Sequence, residues 1–169
     1  MAVLREEIII RAMRADDAEA VAGIYNHYIT QTIITFEEEA VSSSEISQRL
    51  QNVQSSSLPW FVAEQAGEVV GYAYADKWKG RCAFRFSMEV TVYVSPDKLG
   101  YGIGTRLYRK MFPALRECGI HVAIAGIALP NEGSRAVHEK FGFTKVAHFK
   151  EVGFKFDRWI DVGYWQLIL

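Results

Sequence analysis

The stretch EVTVYVSPDKLGYGIGTRLYRKM, residues 89–111, joins a run of β-branched residues to a run with helical periodicity. The first run predicts a β-strand, and the apolar positions of the second run recur every four residues, which predicts a helix. Three glycines stand at alternate positions between the two, at Gly100, Gly102 and Gly104. So much bare backbone in front of a helix indicates that main-chain groups at the helix N-terminus bind a ligand.

The free N–H groups of a helix's first turn attract anions, so a phosphate is the expected ligand. A P-loop would require Gly-Lys-Ser/Thr, which this stretch lacks. A dinucleotide fold would require G-x-G-x-x-G and an acidic residue about 20 positions later, but the spacing is G-x-G-x-G and no acid stands near Ile120 and His121. A pyrophosphate held by backbone amides, as in coenzyme A binding, fits the spacing; a glycine turn without ligand is the alternative.

Composition limits the classes of function. The chain has 169 residues, half of them apolar, with 19 Lys and Arg against 20 Asp and Glu. This balance predicts neither nucleic acid nor a membrane as the main partner, and no segment approaches the roughly 20 apolar residues of a membrane span. Cys82 and Cys118 lack metal-site spacing. We expect a single cytoplasmic domain over residues 1–169 that binds no metal.

The sequence predicts alternating strands and helices. Before the glycines come a strand EIIIRAM, a helix ADDAEAVAGIYNHYI, a second helix behind the S-x-x-E capping box of residues 42–45, and an antiparallel meander, WFVAEQAGEVVGYAYADKW with FRFSMEVTVYV. After them come a helix from Gly102 to Cys118 with a kink at Pro113, a strand HVAIAGIAL, a helix NEGSRAVHEKFG, and strands FTKVAHF and DVGYWQLIL.

The glycine stretch resembles the acyl-CoA-binding segment of the GNAT superfamily of N-acetyltransferases. That family's pattern is Arg or Gln, two residues, Gly, one residue, then Gly or Ala; the sequence matches it over residues 99–104, except that Leu99 replaces the polar residue. The segments IYNHYI, TFEEE, MEVTVYV, AGIALPNEGSRAVHEKFGF and EVGFKFDRWIDVGYWQ resemble the phosphinothricin and methionine-sulfoximine acetyltransferase subfamily in order and spacing. The resemblance covers nearly the whole chain.

This resemblance implies the GNAT fold, a mixed α/β (α+β) architecture. Its central mixed sheet has seven strands, is splayed between strands 4 and 5, and is flanked by about four helices. Acetyl-CoA would be the co-substrate. The implied contacts are backbone pairing with the pantetheine arm by Val92, Tyr93 and Val94, a phosphate cradle, and two side chains near the arm. The cradle residues are Gly100, Tyr101, Gly102, Ile103, Gly104 and Thr105, and the side chains are Asn131 and Ser134. An N-cap role is the alternative for Asn131, and the two roles can coexist.

Two catalytic residues are implied. Acetyl transfer to an amine needs a group that collects the proton, a donor to the oxyanion and a thiolate that can leave. Glu89, three residues before Val92 on the strand, is the candidate base; a solvated carboxylate or an ion pair with Arg85 is the alternative. A backbone N–H near Val92 is the candidate oxyanion donor. His138 is the candidate acid for the thiolate, and a packing role on its helix is the alternative.

Substrate recognition is assigned to five residues. Arg85 precedes Glu89 by four positions, so strand alternation predicts that both side chains share one face. The resemblance adds residues from loops that the subfamily uses around its substrate: Phe36, Trp78, Lys155 and Trp159. Their alternatives are aromatic packing and, for Lys155, a solvated charge.

The favoured function is acetylation of the α-amine of phosphinothricin, methionine sulfoximine or methionine sulfone by direct attack on the thioester. A protein or peptide N-acetyltransferase and a non-catalytic acyl-CoA sensor are the alternatives. The resemblance also implies a homodimer. The last strand WIDVGYWQLIL and a loop FKEVGFKFDRW are the expected contact regions, since both are rich in apolar residues.

Overall fold

One mixed seven-stranded sheet forms the centre of the protein, with strand order β1-β2-β3-β4-β5-β7-β6. The computed structural model describes residues 7–169, so the first six residues of the predicted domain lie outside the described residues. The strands are β1 Ile8–Ala12, β2 Trp60–Gln65, β3 Glu68–Lys77, β4 Ser87–Val94, β5 Val122–Ala128, β6 Thr144–Lys155 and β7 Arg158–Ile168. The mixed α/β fold with seven strands is the predicted one.

Four α-helices accompany the sheet: α1 Ala18–Gln31, α2 Ser43–Ser55, α3 Ile103–Glu117 and α4 Glu132–Lys140. Helix α3 continues through Pro113 and is followed by Gly119, whose φ of +73° suits a helix end. Within residues 7–169, no helix is long and apolar enough to cross a membrane.

The sheet separates α1 from α3. The Tyr93 ring of β4 contacts the rings of Tyr25 and Tyr28 on α1. The next side chain towards the N-terminus, Val92, points to the opposite face, where the start of α3 lies against it. Both helices are amphipathic; α3 buries residues such as Leu107, Met111 and Leu115 completely. The core therefore lies on both faces of the central strands.

Strands β4 and β5 are parallel neighbours for only part of their length. Their pairing covers Ser87, Met88 and Glu89 opposite Val122, Ala123 and Ile124. Beyond Glu89 the strands separate, and β5 continues its antiparallel pairing with β7 as far as Ala128. This is the splay predicted between strands 4 and 5, and it leaves one edge of β4 open.

Two segments differ from the sequence prediction. The strand predicted from Phe84 begins only at Ser87, because Cys82–Phe84 form a 3-10 turn and Arg85 continues it with φ −59° and ψ −16°. The predicted loop FKEVGFKFDRW is wrong as well. Most of it belongs to β6 and β7, which form one long hairpin whose tight turn has positive φ at Phe156 and Asp157.

Candidate active site

A groove of about 530 Å³ follows the open edge of β4. The side chains and backbone around it come from β4, the glycine turn and the starts of α3 and α4, with Tyr28 of α1 and Ile34 of the following loop at one side. It contains every predicted cofactor residue except Tyr101, whose side chain is exposed: Val92, Tyr93, Val94, Gly100, Gly102, Ile103, Gly104, Thr105, Asn131 and Ser134. We call this cavity the cofactor groove.

The backbone conformation of the glycine turn explains why glycines occur there. Gly100 and Gly102 have φ of +83° and +77°, values that only glycine adopts readily. Gly102 is the N-cap of α3, and the first helical hydrogen bond runs from Arg106 N to Gly102 O, 3.1 Å long. The amides of residues 103–105 therefore have no partner within the helix. This cluster of N–H groups suits a phosphate.

Hydrogen-bond alternation decides which β4 backbone groups face the cofactor groove. Ser95 N donates to Val70 O and Trp78 N donates to Ser87 O, so the odd-numbered residues of β4 bond to β3. The even-numbered residues point their N–H and C=O groups the other way. The pair of Glu89 with Ile124 engages the N–H of Val90, so the open edge begins at the C=O of Val90 and continues with the N–H and C=O of Val92.

This alternation corrects the assignment of Tyr93. Its backbone pairs with Tyr72 of β3 and cannot extend towards a pantetheine arm. The carbonyl of Val94 is also engaged, because the Tyr28 hydroxyl donates to it at 2.5 Å. Of the three predicted backbone contacts, Val92 and the Val94 N–H face the cofactor groove.

A second cavity of about 310 Å³, the inner pocket, adjoins the cofactor groove. The two cavities share Ile34, Val92, Tyr93, Asn131 and Ser134 as lining residues. Asn131 caps α4 by accepting a hydrogen bond from Ser134 N at 3.1 Å, so its predicted N-cap role is observed. A thioester at this junction would present its carbonyl carbon to a molecule in the inner pocket.

Glu89 lines the inner pocket and is half-buried. Its Oε1 lies 3.3 Å from the place that a Cβ on Gly126 would occupy, and the Tyr164 ring lies on the same side at 3.1 Å. Burial raises the pKa of Glu89 above its ordinary value, the facing carboxylate of Asp76 raises it further, and Lys79 lowers it. No ion pair of Glu89 occurs among the described residues. A half-buried carboxylate with a raised pKa is suited to accept a proton.

His138 lines the inner pocket but is 3% exposed and fully hydrogen-bonded. Its Nδ1 lies 2.7 Å from Ser134 O, which can only accept, so Nδ1 carries the proton. Its Nε2 lies 2.8 Å from the Tyr108 hydroxyl and accepts from it. Burial lowers the pKa of His138. A neutral histidine with both nitrogens occupied supports the packing interpretation over that of a general acid.

Comparison with known proteins identifies the family. Residues 10–163 match the family model described as an acetyltransferase (GNAT) domain. The chain belongs to the GNAT acetyltransferase family. The phosphinothricin N-acetyltransferase of Streptomyces viridochromogenes is 38% identical, over 96% of this chain and 88% of that protein. The L-methionine sulfoximine/L-methionine sulfone acetyltransferase of Salmonella typhimurium is 35% identical, over 95% and 94%.

Solved structures of GNAT proteins share the fold. A putative acetyltransferase from Salmonella typhimurium, solved with its cofactor acetyl-CoA, superimposes with a TM-score of 0.93 at 34% identity and covers 96% of this chain and 94% of its own. A ribosomal-protein-alanine N-acetyltransferase from Brucella melitensis gives a TM-score of 0.93 at 37% identity, over 95% and 99%. Acetyl-CoA is thus the cofactor present in a solved structure of this family. Residues 7–169 of this GNAT chain contain no cluster of His, Cys, Asp and Glu that would hold a metal.

The inner pocket of this GNAT chain is covered by residues 32–42, the pocket loop between α1 and α2. Its Ile34, Thr35 and Phe36 are lining residues. The Tyr25 hydroxyl lies 2.8 Å from both Thr35 Oγ1 and Glu37 Oε1. Arg49 of α2 binds both carboxylate oxygens of Glu37, at 2.8 and 3.0 Å. The loop is therefore tied to both helices by hydrogen bonds.

The five predicted substrate residues lie in different places. Phe36 lines the inner pocket, and Trp78 packs edge-on against Tyr164 with ring centroids 5.3 Å apart. Trp159 lines a separate cavity between α4 and the β6–β7 hairpin. Lys155 is 1% exposed and donates to Thr35 O, so the solvated-charge alternative is wrong.

The strand-alternation argument for Arg85 is also wrong. Arg85 precedes β4 in a 3-10 turn, and its exposed guanidinium donates to Cys82 O at 3.2 Å and stacks over Phe86. Two charged residues near Glu89 were missed. Asp76 is its cross-strand partner, and the Lys79 charge acts on its pKa. The register of β3 against β4 depends on the loop of residues 78–86, whose short 3-10 turn has no periodicity, so local spacing in the sequence indicated neither residue.

Proposed function

We propose that this GNAT enzyme transfers the acetyl group of acetyl-CoA to the α-amine of small amino acids of the phosphinothricin and methionine sulfoximine type. The observation that carries the proposal is the junction of the two cavities, with a half-buried Glu89 inside the smaller one. A volume of about 310 Å³ suits a molecule of amino-acid size. The names of the phosphinothricin and methionine sulfoximine relatives agree with this choice.

The reaction begins with attack of the neutral amine on the thioester carbonyl. The Val92 N–H on the open edge of β4 would donate to the oxyanion. Glu89 stands three residues away, about 10 Å along the strand, so its side chain together with one or more waters would relay the amine proton to its carboxylate. The leaving thiolate needs little help, since a free thiol has a pKa of about 8.5. His138 has no step in this sequence.

Recognition of the substrate carboxylate needs a cation near Glu89. Lys79 is the cation whose charge lowers the pKa of Glu89, so we assign this role to Lys79 in preference to Arg85. Asp76 and Glu89 would attract the ammonium group of the same substrate. Asp76 and Glu89 line the inner pocket, and Lys79 lies outside its lining but near enough for its charge to act on Glu89, so both signs of charge that an amino acid needs are close to the site.

The enzyme would act as a homodimer. Large apolar side chains of the β6–β7 hairpin are exposed, and β6 is an edge strand. Several exposed apolar side chains on one hairpin suit an interaction site, and a second copy related by a two-fold axis would cover the same residues on both chains. The exposed residues are Val146, Phe149, Val152, Phe154, Phe156 and Trp159. A cytoplasmic location stays a prediction.

Ribosomal-protein acetylation is the second candidate, because the Brucella melitensis structure bears that name. Free coenzyme A release from acetyl-CoA should be measured with phosphinothricin, methionine sulfoximine, methionine sulfone, a polyamine and a peptide with N-terminal alanine. Turnover of the first three alone supports the proposal, and turnover of the peptide alone supports the second candidate.

Two variants test the base in the same assay. Glu89→Gln should lower kcat/KM at least tenfold, because the relay loses its proton acceptor. Glu68→Gln removes an exposed carboxylate of β3 and should leave kcat/KM unchanged. Normal turnover by Glu89→Gln would remove Glu89 from the mechanism.

A further inference from the structure

Lys155 is a buried cation at the end of β6. Its side chain is 1% exposed, and its Nζ donates to the backbone carbonyl of Thr35 at 2.7 Å. The two residues are 120 positions apart in sequence, so this bond joins the β6–β7 hairpin to the pocket loop. Lys155 itself does not line the inner pocket.

An ammonium at this position is costly to bury. Burial lowers the pKa of Lys155, and the nearby carboxylates of Glu38 and Glu37 oppose that shift. The Phe156 ring lies 5.1 Å from Nζ and adds a cation–π contact. An apolar side chain would fill the same space without the desolvation cost. The hydrogen bond to Thr35 O is what this buried charge provides that an apolar side chain would not.

The β6–β7 hairpin contacts the pocket loop at a second place, next to the bond between Lys155 and Thr35. A Cβ built on Gly153 would lie 2.1 Å from the Phe36 ring, so the ring packs directly on the bare backbone there. Gly153 and Lys155 are two positions apart on β6 and share one face of the strand. Successive loop residues, Thr35 and Phe36, are thus fixed by that face, and both line the inner pocket.

We propose that Lys155 is a positioning residue, which sets the wall of the amino-acid pocket through Thr35 without touching the substrate. This inference rests on the proposed amino-acid acetyltransferase function for its kinetic consequence. It assigns to the β6–β7 hairpin a part in substrate affinity. It predicts little effect on acetyl-CoA binding, because neither Thr35 nor Phe36 lines the cofactor groove and Ile34 is the one residue of the pocket loop that does.

Amide hydrogen exchange tests the structural half of the inference without any substrate. In Lys155→Met, exchange in residues 32–42 should rise at least tenfold, while β4 stays as in the wild type. Lys150→Met, an exposed lysine on the same strand, is the matched control and should change neither segment. Unchanged loop exchange in Lys155→Met would overturn the inference even if the enzyme acetylated no amino acid.

Kinetics test the functional half. In Lys155→Met, KM for methionine sulfone should rise about tenfold, with kcat within threefold and KM for acetyl-CoA within twofold of the wild type. The inhibition constant of the decarboxylated analogue, 3-(methylsulfonyl)propylamine, should rise by the same factor. A loss confined to the amino acid would indicate a direct ion pair with the carboxylate and would overturn the positioning role, as would an unchanged KM.

A second variant guards against misfolding of the first. Gly153→Ala places a methyl group against the Phe36 ring and should displace the pocket loop from the adjacent point. It should give the same rise in loop exchange and in KM for methionine sulfone. Absence of turnover by the wild type with every amino acid tested would instead reject the proposed function, and the exchange result would still decide whether Lys155 holds the loop.

Discussion

The carboxylates of Asp76 and Glu89 face each other across β3 and β4, with Lys79 nearby. Burial is the largest cause of the raised pKa of Glu89, and the charges of Asp76 and Lys79 act on it in opposite directions. As a proton acceptor, Glu89 must be ionised. The rate should therefore fall at pH values below its pKa, and neighbouring charges should move that limit.

We predict opposite shifts in two variants. Asp76→Asn removes a negative charge, so the pKa of Glu89 falls and the acid limb of kcat/KM moves to lower pH. Lys79→Met removes a positive charge, so the pKa rises and the limb moves to higher pH. The measurement is kcat/KM for methionine sulfone between pH 4.5 and 9.5, a window that spans roughly the ordinary carboxyl and amine pKa values.

Ionisation of the substrate amine supplies an internal control for the pH profiles of Asp76→Asn and Lys79→Met. This ionisation gives an alkaline limb, which belongs to the free substrate and should stay in place in both variants. Limbs that shift in the same direction, or that do not move at all, would show that Glu89 is not the group that titrates.

Helix α2 is an element on which the inner pocket depends, because its Arg49 holds Glu37 of the pocket loop. The helix begins at a cap: Ser42 Oγ accepts from Glu45 N at 3.1 Å. The Glu45 side chain instead accepts from Arg49 at 2.5 Å. The predicted capping box is thus observed in its Ser42 half.

Removal of this cap should weaken the protein measurably. Ser42→Ala leaves the Glu45 amide without its acceptor, and we expect the free energy of unfolding to fall by about 1 kcal/mol. Ser44→Ala changes an exposed serine of the same turn and should stay within about 0.5 kcal/mol. Urea unfolding followed by circular dichroism measures both. Equal losses in the two variants would contradict the capping role.

Most of the helices and strands could be predicted from hydrophobic periodicity and from the turn and capping residues at their ends. Strands β2 and β3 are joined at the predicted turn of Ala66 and Gly67, and α3 ends before Gly119. Strand β6 could not be predicted over its whole length. Two irregularities in its register, one of them around Glu151 with φ +52°, interrupt the alternation of buried and exposed residues by which strands are recognised.

Site residues could be predicted where the local backbone conformation selects the residue type. They were harder to predict where their position depends on a contact with a distant part of the chain. The glycine turn carries its own signal, because positive φ selects glycine. The burial of Lys155 depends on a residue 120 positions away, and the position of Arg85 depends on a short 3-10 turn with no periodicity. Neither can be derived from local spacing.

At the scale of the whole molecule, the exposed apolar hairpin leads to a prediction about assembly. Phe154 and Trp159 are cross-strand partners with ring centroids 4.8 Å apart, and Trp159 is 63% exposed. The combined change of Phe154→Asp and Trp159→Asp should convert a dimer into a monomer, because desolvating two carboxylates opposes the interface. Sedimentation should show the mass fall from twice the chain mass to 19.1 kDa.

The control for assembly lies at the other end of the sheet. Ile9 is an exposed apolar residue of β1, the opposite edge strand, and Ile9→Asp should leave the dimer intact. A monomeric wild type, or a dimer that persists in the double variant, would show that the hairpin is not the interface.

The open edge of β4 has a consequence for how such enzymes diversify. Its gap-facing N–H and C=O groups belong to the main chain, so they remain the same whichever side chains Val90 and Val92 are exchanged for over evolutionary time. The inner pocket is instead walled by side chains of the pocket loop and of β3, β4 and β5. Mutational drift can therefore retune the choice of acceptor molecule while the acyl donor's binding surface is inherited intact.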